Sequence, residues 1–343
     1  MIEINLIENV TEWESFVLKQ EYALFTQSFK YGEFYRRMGE DGWIYGIYEN
    51  GLLLGGSLVV SVHAKRGNFL FLPYGPIIGD ESRLGELLPI FFEKLRKSAS
   101  SDGYDFIRVS PFLDNTEEIK GVFRNAGFRD APIHIMAERT WILDLSASAD
   151  EILRNMEKNH RNLIKRCEKS GAVVSKSGDA AAAGQFNKIH DYTAERHNFH
   201  RFSKEYVLNE FNSFAPSGEA LAFSAFLSDG TLDSSAIIIY YGNMGAYRHG
   251  ASLLTDRRIP SSYLIQWEAI LEAKRLGMKY YNFWGIAPDG ARSTHPFYGI
   301  SHFKKGFGGR PKELISCQDL PVTKRYWINW LVEMTRSFRR GFK

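Results

Sequence analysis

Lys304 and Lys305 stand between Phe303 and a glycine-rich turn, Gly306-Phe307-Gly308-Gly309. Glycine lets a ligand come close to the main chain because no Cβ intervenes. A lysine pair beside it offers that ligand a positive charge; a solvated pair in an ordinary turn is the competing reading. Upstream, Lys158, Arg161, Lys165 and Lys169 recur at every third or fourth position. This spacing puts them on one face of a helix, where they suit the phosphates of an RNA backbone or simply face water. Arg196, within YTAERHNF, carries a two-pronged guanidinium matched to phosphate, or else pairs with Glu195 or Asp191. His197 and His200 suggest metal ligands, but spacing supplies no third. Cys167 and Cys317 are the only cysteines and form no CxxC pattern, so neither a disulfide framework nor a metal site is expected.

These residues need elements to hold them. Leu264, Trp267, Ile270, Leu271, Lys274 and Leu276 follow helical spacing. Gly277 ends that helix, since glycine enters the left-handed cap without steric cost, and Tyr280, Tyr281, Phe283 and Trp284 read as a buried strand. The first half has the same order. Strands around 43–48 and 52–62 flank Asn50-Gly51, a strong hairpin signal. A third strand follows near 69–75, then a helix over 84–99, Gly103, and a strand over 105–110. In the second half Asp229-Gly230 takes the place of Asn50-Gly51 and Gly277 that of Gly103. The recurrence predicts one duplicated α/β domain. Between the halves, Ser148 or Ser146 caps a helix with the apolar stripe Leu153, Met156, Ile164 and Cys167, which Gly171 terminates. Thr11 is the expected cap of a first helix, and a further helix is expected over 31–38. The chain closes on an amphipathic basic segment that sets Tyr326, Trp327 and Trp330 beside Lys324, Arg325, Arg336, Arg339 and Arg340. Its composition suits either a docked terminal helix, the preferred reading for the aromatics, or an interfacial helix attracted to anionic lipid.

At 343 residues two domains are the natural expectation, and a formal charge of +3 leaves nucleic-acid binding to local clusters. The first residues lack the basic and apolar regions of a signal peptide. No run of about 18 apolar residues is present, so a soluble cytoplasmic protein is expected.

Each half resembles the acyltransferase fold of the GNAT superfamily, which implies an α/β (α+β) chain of two tandem GNAT-like domains. The boundaries expected are 1–145 and 146–318, with a C-terminal helix in 319–343 packed back on the first domain. Coenzyme A would need a glycine-rich turn at a helix N-terminus to cradle its pyrophosphate. The corresponding loops are TDRRIPSSYL, with no glycine and with Pro260, and GPIIGDESRL, with Asp80 and Glu81. Both argue against that cofactor.

The duplicated order, KNHRNLIKRCEKSG, ERHNF, GAS…YLIQWEAILEAKRLGMKYYNFWGI and FKKGFGG together resemble the FemABX family over essentially the whole chain. Those enzymes are aminoacyl-tRNA-dependent transferases of peptidoglycan cross-bridge synthesis, and this chain is similar to forms without a coiled-coil arm. The resemblance implies transfer of an amino acid from aminoacyl-tRNA, a co-substrate and not a cofactor, to the stem peptide of a nucleotide- or lipid-linked muropeptide. No cofactor or metal is implied. It makes Phe303, Lys304 and Lys305 the catalytic candidates, with Lys304 stabilising an oxyanion or holding a tRNA phosphate. Arg196 would contact an anionic diphosphate. Arg36, Arg37, Ser110 and Tyr263 complete the substrate-binding candidates, and Lys158, Arg161, Lys165 and Lys169 the tRNA-binding ones. Tyr35 stands where the family has lysine, followed by Arg36 and Arg37, and Ser110-Pro111 stands where many members have Asp-Pro. A monomer is expected, with peripheral contact at the inner face of the membrane if the acceptor is lipid-linked. Two other readings are an acyl-CoA or carrier-thioester acyltransferase acting on a surface polysaccharide, and a non-catalytic module that binds cell-wall precursors or RNA.

Overall fold

The computed structural model describes residues 1–65, 67–197, 201–293, 295 and 297–339, with residues 197, 338 and 339 described by backbone alone. After β1 (Ile2–Leu6), it is Asn9 and not Thr11 that caps α1 (Val10–Leu18): its side-chain oxygen accepts from the Thr11 and Glu12 amides. Ser28 caps α2 (Phe29–Arg37) in the same way. Asn50 and Gly51 take φ of 51° and 78°, the paired left-handed geometry that a two-residue hairpin requires, and join β2 (Gly42–Glu49) to β3 (Leu52–Ala64). β4 (Gly67–Tyr74) runs antiparallel to β3, on which β5 (Ile77–Ile78) also pairs. The amphipathic α3 (Leu84–Ser101) buries Leu84, Leu87, Leu88, Phe91, Phe92 and Leu95 on one face and stops before Gly103, at φ 78°. The chain then returns as β6 (Phe106–Pro111), parallel to β4, followed by α4 (Glu117–Asn125) and β7 (Arg129–Asp130).

β8 (Arg139–Asp144) leads into α5 (Ala149–Asn155), where Ser148 and Glu151 form a reciprocal capping box. The single helix expected here is broken. Met156 takes extended backbone, and α6 (Lys158–Lys169) starts afresh after Glu157. β9 (Val173–Ser177), α7 (Ala180–His197) and α8 (Lys204–Phe214) come next. The repeat then reappears as β10 (Ala220–Phe226), β11 (Leu232–Tyr241), β12 (Met244–Ser252), α9 (Ser262–Arg275) and β13 (Tyr280–Gly285). The closing elements are α10 (Tyr298–Lys305), β14 (Arg310–Glu313), β15 (Gln318–Pro321) and α11 (Tyr326–Arg339).

One sheet runs β1-β2-β3-β4-β6-β15-β7 and the other β14-β8-β13-β12-β11-β10-β9. In each, three antiparallel strands are followed by a helix and a strand that returns parallel to the third. Met1–Thr140, Gly285–Tyr298 and Lys312–Lys343 form one compact unit; Trp141–Trp284 and Gly299–Pro311 form the other. The first core gathers Phe91, Phe92, Phe123 and Phe128 with the sheet residues Leu70, Ile107 and Val109. The second gathers Ile164, Phe223, Ile238, Ile265, Ile270, Phe283 and Phe307. Within the first unit α11 docks through Tyr326, whose ring meets Phe106, and through Glu333, which pairs with Arg108.

The two copies differ where the parallel strands meet. β4 and β6 stay paired over six positions, from Phe69–Phe106 to Tyr74–Pro111. β12 and β13 pair at only three, ending at Ala246–Asn282. Beyond that point Arg248 is an extra residue in β12, because Ile237 faces His249 while Ile238 faces Tyr247. A bulge of this kind bends a strand and re-aims its side chains. The second unit therefore opens between its parallel strands where the first stays closed.

Candidate functional site

Lys304 lies in the last turn of α10 and not in a loop, and only 7% of it is exposed. Its Nζ sits 5.9 Å from the ring centroid of Tyr247, the β12 residue just past the last parallel pair. Burial holds the amine down at about 7, from the usual value above 10, because removal from water penalises the charged form. Burial also raises the Tyr247 phenol, keeping it neutral. The neighbouring Lys305 Nζ lies 5.6 Å from the Trp141 ring, whose indole N–H donates to the Gly308 carbonyl at 2.7 Å. On the β13 side, Trp284 is held at φ 67°, with its amide donating to Asn282 Oδ1 at 2.8 Å. A left-handed conformation at an aromatic residue is costly and persists only where its surroundings enforce it. Arg248 lies 5.2 Å from the Trp284 ring and donates from Nε to the buried Glu210 at 2.8 Å.

α6 holds α10 in place. His160 is fully buried, and its Nε2 is 2.9 Å from the Phe303 carbonyl. A carbonyl only accepts, so Nε2 carries the proton; burial lowers the imidazole pKa and keeps the ring neutral. The Glu157 amide donates to the Gly306 carbonyl at 2.9 Å. The His160 ring also packs edge-on against Tyr263 and Phe307, and Tyr263 packs on Phe303. His160 appears in the sequence as an unremarkable member of KNHR. Nothing local distinguishes it, because its partners lie some 140 residues away.

Gly306 and Gly309 serve this packing: protein atoms fill the space a Cβ would take there. A Cβ on Gly306 would overlap the His160 ring, and one on Gly309 would strike the Ile142 carbonyl. Gly306→Ala should therefore cost roughly 1–3 kcal/mol, as overpacking generally does, readable as a lowered denaturant midpoint. His160→Leu should lose activity with little change in volume, whereas His160→Gln, which retains a donor, should recover part of it.

The structure brings Phe303 and Tyr263 together at His160, and Lys304 and Lys305 follow Phe303 in the last turn of α10. The other candidates lie elsewhere. Arg196, exposed on α7, donates to the Leu253 carbonyl at 2.8 Å and to Ser252 Oγ at 3.2 Å, tying down the end of β12. Lys158, Lys165 and Lys169 are exposed on α6, but Arg161 turns back and donates to the carbonyls of Arg154 and Met156. It closes the end of α5. In the first unit, Arg36 pairs with Glu33 and donates to the Gly42 carbonyl, while Arg37 is exposed. Ser110 is buried with its hydroxyl 3.4 Å from Cys317 Sγ. His200 and the side chain of His197 lie outside the described residues, as do Arg340 and the side chain of Arg339. Among the described residues no cluster of His, Cys, Asp and Glu is placed to hold a metal. Burial pushes the Cys167 thiol up to about 11 and the Cys317 thiol up to about 12, so neither is a thiolate nucleophile at neutral pH.

The loop before α9 has an unforeseen resident. Asp233, fully buried, accepts from the Thr255 amide at 2.8 Å and the Ser261 hydroxyl at 2.5 Å. The loop that leads into α9 thus commits the Thr255 amide and the Ser261 hydroxyl to an internal carboxyl group.

A model of the FemAB family matches residues 129–224 and 231–333. Aminoacyltransferase FemB of Staphylococcus epidermidis is 30% identical over 104 residues, or 29% of this chain. That match spans about a quarter (25%) of FemB. Aminoacyltransferase FemA of Staphylococcus aureus (strain MRSA252) is 22% identical across 91% of this chain and 94% of its own length. Among solved structures, FemX superposes with a TM-score of 0.83 at 18% identity, covering 96% of this chain and all of its own (100%). A tandem GNAT protein from the clavulanic acid biosynthesis pathway superposes at 0.61 with 10% identity, covering 94% and 99% of the two chains. The fold is thus a pair of GNAT-like α/β domains.

Proposed function

From the premise that this chain belongs to the FemAB family, we propose that it is an aminoacyltransferase of peptidoglycan cross-bridge synthesis. It moves an amino acid from aminoacyl-tRNA to the stem peptide of a nucleotide- or lipid-linked muropeptide, in the cytoplasm and without a cofactor. The observation that carries this reading is Lys304, buried at the open end of the β12–β13 pair with its amine held at about 7. An aminoacyl ester is already activated, so the enzyme has to align two substrates and stabilise one oxyanion. The acceptor amine attacks the ester carbonyl, a C–N bond forms, and negative charge collects on the carbonyl oxygen. The Lys304 ammonium, in a site with little water, stabilises that charge. As the intermediate collapses, the C–O bond to the ribose breaks and the departing oxygen takes the proton released by the amine. His160 keeps Lys304 in position through Phe303.

Asp233 supports a donor other than coenzyme A, because it takes up the Thr255 amide and the Ser261 hydroxyl in the loop before α9, where a pyrophosphate would need free donors. Lys158, Lys165 and Lys169 offer an exposed cationic face to RNA phosphates. Changing all three to glutamine should raise KM for aminoacyl-tRNA and flatten the dependence of log K on log salt by about 2, with kcat nearly unchanged. The decisive assay supplies the purified chain with labelled aminoacyl-tRNA, acetyl-CoA, and nucleotide- or lipid-linked muropeptide. Transfer from tRNA alone is expected; transfer from acetyl-CoA alone would overturn the reading.

A further inference from the structure

Helix α11 turns Tyr326 and several polar residues inward and leaves other apolar residues outward. Asn329 and Ser337 are buried, and Glu333 reaches in to Arg108. Trp327, Ile328 and Leu331, at spacings that share the opposite side, are 45%, 63% and 62% exposed. Water penalises exposed aliphatic surface, and a cluster of it on an ordered helix marks a surface that something covers.

The charges say what that is. Glu333 is the only acid from residue 324 to the C-terminus, and it faces Arg108. Lys324, Arg325 and Arg336 are exposed, and the sequence adds Arg339, Arg340 and Lys343. A second copy of this chain would bring like charges together. RNA would gain nothing from Ile328 and Leu331. Apolar residues flanked by cations, with a tryptophan among them, match the headgroup boundary of an anionic bilayer. Among the described residues no helix is long and apolar enough to cross a membrane, so contact through this face would lie in the plane of the surface. We propose that the outward face of α11 docks on an anionic phospholipid bilayer, with Trp327, Ile328 and Leu331 entering the headgroup boundary and Lys324, Arg325 and Arg336 meeting lipid phosphates.

This surface lies outside the Lys304 site, so the proposal goes beyond acyl transfer and fails or holds separately from it. The test is co-sedimentation of the full chain with vesicles of mixed phosphatidylglycerol and phosphatidylcholine, against phosphatidylcholine alone. Partitioning to the anionic vesicles should be at least about tenfold stronger and should weaken with salt. Trp327→Ser/Leu331→Ser and Lys324→Gln/Arg336→Gln should each reduce it at least about tenfold, while transfer to a nucleotide-linked acceptor stays unchanged. Equal partitioning to both vesicle types would overturn the proposal. So would unaltered binding by both variants, or a dimer in sedimentation velocity that Trp327→Ser/Leu331→Ser dissolves.

Discussion

Lys304→Met is expected to slow aminoacyl transfer by roughly 100- to 1,000-fold, the usual loss when a stabiliser of an oxyanion is removed, while making the folded chain more stable. The two effects share one cause. Burial holds the amine at about 7 in the folded chain, whereas the unfolded chain keeps it above 10. Between these values the unfolded state binds the extra proton, so stability rises with pH from about 7 towards 10, and the cost of the buried cation is complete below 7. Methionine removes that cost. The gain should be a few kcal/mol at pH 6, at about 1.4 kcal/mol per unit, and should vanish near pH 10. Thermal unfolding across this range measures it, and a destabilised variant at pH 6 would contradict the burial argument. The cation exists below pH 7 and is lost above it, so the ratio of kcat/KM of the parent to that of Lys304→Met, in which the acceptor amine's own titration cancels, should fall on the alkaline side of neutrality. A ratio that still climbs beyond pH 8 would assign Lys304 some other role.

The second large effect is structural. Arg108 is 1% exposed and lies against the rings of Phe69 and Phe106. It donates to both oxygens of the fully buried Asp319, at 2.7 and 2.8 Å, and to Glu333 of α11 at 2.7 Å. Tyr326 adds a hydroxyl 3.3 Å from Asp319. Burial raises the Asp319 carboxyl even with the guanidinium present, so without it the carboxylate would be stranded. Arg108→Ala should cost roughly 3–5 kcal/mol, as when one partner of a buried pair is removed. It should also release α11 to limited proteolysis. Arg108→Met/Asp319→Leu should recover much of the loss, because an apolar replacement for a buried ion pair is often nearly neutral. Equal losses in the single and double variants would show that the pair is not what fixes α11.

The difference between what could be read in the sequence and what could not follows the range of the forces involved. Asn50-Gly51, the stop at Gly277 and the Ser148 capping box depend on a few neighbouring residues, so the hairpin, the helix end and the repeated order were legible. The cap of α1 moved from Thr11 to Asn9 because both residues can accept from nearby amides and only the chain path selects between them. The break at Met156 was invisible because the apolar stripe continues across it, while the Gly306 carbonyl draws the Glu157 amide out of register. Arg161 belonged to the cationic face by spacing, and its hydrogen bonds to two carbonyls at the end of α5 depend on the break at Met156.

By itself, the sequence determined that this chain is a duplicated α/β protein with a lysine pair near its end and a FemABX pattern around it, since periodicity, capping and turn chemistry are local. Only the tertiary structure decided that Lys304 is buried on a helix beside an open strand pair, and that α11 shows its apolar face to the outside. Burial, and with it the charge of an amine or the covering of a leucine, depends on which distant residues arrive. His160 and Tyr247 at one site, and Arg108 at the other, arrive from more than 50 residues away.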